Sequence, residues 1–152
     1  MNKVFSNPDA YKKSPAQILS SLFQGFGVFS LLASLRNLDA AGPDDLVDIA
    51  LKNPTICPLQ DRAEFLEFAQ LLAAEQLKNV VEIGTFRGGT LFVLARLSRP
   101  DATLISLDLP NSRFGTLARK FQEPLFRRFT RSGQRLLLLR EDSHAETNTI
   151  QG

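Results

Sequence analysis

Asn79-Val80-Val81-Glu82-Ile83-Gly84-Thr85-Phe86-Arg87-Gly88-Gly89-Thr90 is the stretch on which the reading of this chain turns. Asn79 to Thr85 is a short β-branched run that stops at Gly84, which is the pattern of a strand entering a turn. Gly88 and Gly89 then open Thr90 to Leu97 (TLFVLARL), an apolar helical segment. The order is strand, tight loop, helix. Gly84 and Gly88 let the loop turn sharply and bring its backbone close to a ligand, since glycine adds no Cβ. The helix starting near Gly89 offers unpaired N–H groups to a polar or anionic group.

The alternation continues downstream. Thr103 to Leu109 (TLISLDL) reads as a second strand, about Gly115 to Phe129 as a helical stretch broken or kinked at Pro124, and Arg135 to Arg140 (RLLLLR) as a third strand. Upstream, Phe65, Phe68, Ala69, Leu72 and Ala73 fall on one face of a helix that runs to about Gln76. Strands alternating with helices predict an α/β fold, a Rossmann-like doubly wound parallel sheet. The continuous apolar run Leu136 to Leu139 is expected where helices cover both faces of a strand. Residues 1–58 form a separate N-terminal helical extension in this reading, with loops around a short helix at about Asp44 to Leu51, and residues 59–152 a partial cofactor-binding domain.

Composition narrows the class. The 152 residues are 43% hydrophobic and 22% charged, which suits a globular chain. The stretch Ser14 to Leu35 is uncharged and long enough to raise a membrane span. Seven polar residues, among them Gln17, Ser20, Ser21 and Gln24, interrupt it, and Ile18, Leu22, Phe26, Phe29, Leu32 and Ala33 recur near helical spacing. A packed or lid-like helix is expected there, with no transmembrane span. No secretory signal is expected either, because Pro8, Asp9 and Pro15 precede the apolar run. The single cysteine, Cys57, cannot form an internal disulfide and reads as a small apolar residue, which points to a cytoplasmic location.

The net charge of +2 conceals an imbalance: residues 1–83 carry 7 Lys/Arg and 10 Asp/Glu, residues 84–152 carry 11 and 6. Arg119, Lys120, Arg127, Arg128 and Arg131 sit at spacings that suit a solvated helix exterior, so no nucleic-acid partner is expected.

Ligands of doubly wound sheets bind outside the carboxyl ends of the strands, and Glu82, Asp108 and Asp142 all stand at or next to such ends. The loop lacks the second glycine of GxGxxG, which counts against a nicotinamide enzyme. Asp108, 20 residues past Gly88, can accept hydrogen bonds from both hydroxyls of a ribose. Taken singly, Glu82 also reads as a strand-end surface residue and Asp108 as a cap before Pro110. His144, the only histidine, reads as a capping or cofactor-adjacent residue more readily than as a general base.

The run Glu82-Ile83-Gly84-Thr85-Phe86-Arg87-Gly88-Gly89-Thr90 resembles the first motif of class I methyltransferases in its ExGxxxG form. With Pro58-Leu59-Gln60, Glu64-Phe65, Ile105 to Pro110, Arg113-Phe114-Gly115 and Asp142-Ser143-His144, the chain over about residues 56–148 resembles the cephalosporin hydroxylase and sugar O-methyltransferase-like family. The resemblance implies S-adenosylmethionine as cofactor. Glu82 and the backbone of Gly84, Thr85, Phe86 and Gly88 would hold its methionine end, Asp108 its ribose, and Asp142 with Ser143 its adenine edge. It also implies a small-molecule hydroxyl as methyl acceptor, and a later acidic, histidine-containing segment that binds a divalent metal. That segment is not in this sequence, so the expectation is a cofactor-binding half that is inactive alone and, with its first strand's edge open, poorly soluble. The sequence assigns no catalytic residue and leaves a homo-oligomer open. Two alternatives stand beside this reading: a nucleotide-dependent oxidoreductase, and a non-enzymatic RNA- or protein-binding module.

Overall fold

The computed structural model describes residues 28–33, 35, 38, 40–109 and 119–141. Asp142, Ser143 and His144, the Arg113 to Gly115 stretch and most of the predicted amphipathic helix lie outside these residues. The elements run α1 (Pro43–Lys52), α2 (Arg62–Glu75), β1 (Asn79–Ile83), α3 (Gly89–Leu97), β2 (Thr103–Asp108), α4 (Arg119–Arg127) and β3 (Arg135–Arg140). The fold is α/β, with three parallel strands in the order β1-β2-β3.

Register follows the hydrophobic pattern. Val80 pairs with Leu104 and Leu104 with Leu136, while Val81, Ile105 and Leu137 line up one residue further on. Because side chains alternate across a strand, the two sets face opposite sides of the sheet. Val80, Glu82, Leu104 and Ser106 are buried on the first side. On the second side Val81, Ile83, Leu137 and Leu139 are exposed. Among the described residues only one face of the sheet is covered, so the expectation that β3 is covered on both faces is not met there. A run of four leucines satisfies either arrangement, and that is why it could not decide between them.

The covered side is built around α3. Leu91, Phe92, Val93, Leu94 and Ala95 are all buried, since the helix packs against α1 and α2. A helix apolar all round is what such a central position requires. Phe92 and Phe129 meet edge to face with ring centroids 5.5 Å apart, and Phe126 tilts against Phe129 at the same separation, closing the core below α4. The end of α3 is tied down by side chains: Ser98 donates to the Leu94 carbonyl at 2.7 Å, and the Gln134 amide to the carbonyls of Ala95 (2.7 Å) and Arg99 (3.0 Å). The last carbonyls of a helix lack partners within it, and the Gln134 amide meets that of Ala95.

Local signals set the other ends. Pro43 opens α1 with Gly42 before it, the Gly42 N–H donating to Asp45 at 3.2 Å; proline suits that position because its missing N–H would have no partner. Asp61 caps α2 by accepting from the Ala63 N–H at 2.8 Å. Arg62 then reaches across to Asp44 and Asp48 of α1, both at 2.8 Å. Pro124 lies within α4 rather than ending it. No described helix is long and apolar enough to cross a membrane.

Candidate functional site

The loop after β1 carries the geometry that the sequence singled out. The Gly84 N–H still donates to the Leu107 carbonyl at 2.8 Å, which holds it to the end of β2. Its φ of +86° is in the left-handed region, and among the described residues nothing stands within 4 Å of where a Cβ would project. Gly84 therefore opens onto space. The chain then turns, with the Gly88 N–H donating to the Thr85 carbonyl at 2.8 Å. Phe86 within this turn has φ +50°, an unusual conformation for a bulky residue, and the Arg87 guanidinium lies 5.1 Å from its ring centroid.

The other two glycines owe their identity to packing. A Cβ on Gly88, at φ +89°, would meet the Phe126 ring at 2.4 Å, and one on Gly89 would meet the Ile56 carbonyl oxygen at 2.3 Å. Gly88 remains in the turn, but the side of it that lacks a Cβ faces the core. Gly84 alone of the three faces open space.

A cleft of about 370 Å³ adjoins the loop, walled by Gly84, Thr85, Phe86 and the start of α3 on one side and by Pro58, Leu59 and Gln60 on the other. The two walls meet where the Gln60 amide donates to the Thr90 hydroxyl at 3.4 Å. Its volume falls in the range of small-molecule sites. A hollow of about 400 Å³ beside α1 is lined by Asp45, Asp48 and Lys52 among others. Lys52 and Arg62 already neutralise Asp48 there and hold its carboxyl below the usual range, so the strand-end cleft is the better candidate on chemical grounds.

Glu82 and Asp108 are not part of the cleft wall. They sit side by side at the ends of β1 and β2. Glu82 is 8% exposed, and its Oε2 is buried with no hydrogen-bond partner among the described residues. Burial, reinforced by the Asp108 charge and opposed by a hydrogen bond from Ser106, pushes the Glu82 carboxyl up to about 8. Asp108 accepts from the Leu109 N–H at 3.0 Å and from Arg140 at 3.2 Å. Arg140 stands opposite it at the end of β3.

The Thr85 hydroxyl is hydrogen-bonded to that of Ser106 and is shielded from solvent. It braces the loop against β2 instead of facing the cleft. Ser106 and Arg140 were not singled out by sequence reasoning. Register could have found them, because Ser106 pairs with Glu82 and Arg140 with Asp108 once the strands are aligned. Among the described residues no group of three His, Cys, Asp or Glu is placed to hold a metal ion. Compared with protein-family models and with well-characterised proteins, the sequence matches none.

Proposed function

We propose that the chain is the cofactor-binding part of a Rossmann-like class I methyltransferase, and that its strand-end cleft takes S-adenosylmethionine. The observation that carries this reading is Gly84: a left-handed residue at the end of the first strand, facing open space beside a cleft, with two carboxyl groups on the adjacent strand ends. The donor set fits the cofactor. Glu82 and the loop backbone suit the ammonium-bearing methionine end, and Asp108 suits the ribose hydroxyls.

When bound, the cofactor supplies an electrophilic methyl carbon on a sulfonium. The chain's own part is to hold and orient. Asp108 accepts from two neighbouring hydroxyls only if its carboxylate is fixed, and the Leu109 N–H and Arg140 fix it. Thr85 and Ser106 hold the loop to β2. Such preorganisation is the main contribution a protein makes to an in-line transfer. The acceptor in this proposal is a small-molecule hydroxyl, deprotonated by groups that this chain does not identify.

Calorimetric titration with S-adenosylhomocysteine tests the reading. Saturable binding that Asp108→Ala weakens at least tenfold is expected. Binding of a nicotinamide dinucleotide instead, with the same sensitivity to Asp108→Ala, would replace this reading by the oxidoreductase one.

A further inference from the structure

One feature of the strand ends goes beyond holding a cofactor. Glu82 is a carboxyl group 8% exposed, with Oε2 buried and unpartnered among the described residues, and the charged group that acts on it is another acid, Asp108. Among the described residues no cation compensates it directly: Arg140, at the end of β3, is engaged with Asp108, and the hydrogen bond Glu82 accepts comes from the Ser106 hydroxyl, which is itself linked to Thr85. A buried carboxylate in that setting lacks the counter-charge that burial demands. None of the described residues supplies it.

We propose that the strand-end site is a proton-linked receptor for a cationic ligand: Glu82 holds a proton in the empty site and releases it when the ligand's positive group arrives beside it. The proposal rests on the cofactor reading, in which that group is the ammonium of the methionine end. The proton leaves the Glu82 carboxyl for bulk buffer, and the carboxylate left behind pairs with the ammonium. The ligand therefore exchanges one proton for one cation, and the net charge buried at the site changes little.

The sign follows from linkage. Glu82 in the empty site stays protonated up to about pH 8, and in the occupied site it is ionised. Affinity for the cationic ligand should therefore fall about fivefold from pH 8 to 7 and about ninefold from pH 7 to 6. At pH 7 binding should release about 0.9 proton.

Calorimetry of S-adenosylhomocysteine in two buffers of different ionisation heat, at pH 6, 7 and 8, reads both quantities. 5′-Methylthioadenosine, which keeps the nucleoside and lacks the ammonium, serves as control and should bind with no proton release and no such pH dependence. Glu82→Gln should bind S-adenosylhomocysteine without releasing a proton. Carbon-13 NMR of the Glu82 carboxyl in the ligand-free protein provides a readout independent of any variant: its midpoint should lie near 8 and drop in Asp108→Asn.

Equal affinity for S-adenosylhomocysteine at pH 6 and 8 with no released proton would overturn the inference and leave the cofactor reading standing. A Glu82 midpoint in the ordinary carboxylate range would do the same. Failure of both nucleosides to bind at any pH would overturn the cofactor reading and the inference with it.

Discussion

At the scale of single residues, Glu82 and the glycines make the sharpest claims. Glu82 has its proton affinity raised by folding, from 4.5 to about 8. The folded state then binds more protons at this group than the unfolded state between those values, so the stability that Glu82 contributes is fully present below pH 4.5 and is lost as pH rises to about 8. Glu82→Gln removes the titrating group, and urea unfolding at pH 5 and pH 8 should show a loss of a few kcal/mol in the wild type but not in the variant. The glycines should separate by consequence. Gly84→Ala places a Cβ in open space and should cost only the left-handed strain of about 1–2 kcal/mol, while sharply weakening a ligand in the cleft. Gly88→Ala adds the same strain and drives a methyl into Phe126, so thermal unfolding should show a loss of about 3 kcal/mol or more.

At the scale of elements, α3 is held in place from its C-terminal end as much as from its buried sides. The Gln134 amide satisfies two carbonyls there, and Gln134→Ala should lower stability by about 1–3 kcal/mol in chemical denaturation without disturbing the distant cleft. This element also shows what the sequence could and could not convey. Its apolar run and the glycines before it announced a buried helix after a strand, and the strands around it fell within one or two residues of their predicted ends. The packing role of Gly88 and Gly89 was not legible, because Phe126 and Ile56, which crowd them, lie 38 and 33 residues away. Nor was the inward turn of Thr85, since its bond to Ser106 depends on register. The face that Leu137 and Leu139 show was hidden for another reason: leucines on both sides of a strand read alike whether or not both sides are covered. The strand-end positions of Glu82 and Asp108 were legible because parallel sheets place their strand ends predictably.

At the scale of the whole molecule, the described part is a sheet with helices on one side and an apolar face on the other. Val81, Ile83, Leu137 and Leu139 are at least 40% exposed, and with Ile105 and Leu107 between them they form two rows across three strands. A contiguous patch of this kind promotes association. Val81→Thr with Leu137→Thr should leave the unfolding midpoint nearly unchanged while reducing binding of a hydrophobic dye and raising the concentration at which the chain stays monodisperse by light scattering. The cleft lies at one end of this body, at the carboxyl ends of the strands, which places the ligand claim in a small and defined region. The most direct test is titration of nitrogen-15-labelled protein with S-adenosylhomocysteine, followed through the backbone amides. Saturable shifts concentrated at Gly84, Thr85, Phe86, Thr90 and Leu109 are expected if the strand-end cleft holds the ligand. Shifts centred instead on Asp45, Asp48 and Lys52, or no shifts at all in a folded chain, would contradict that claim.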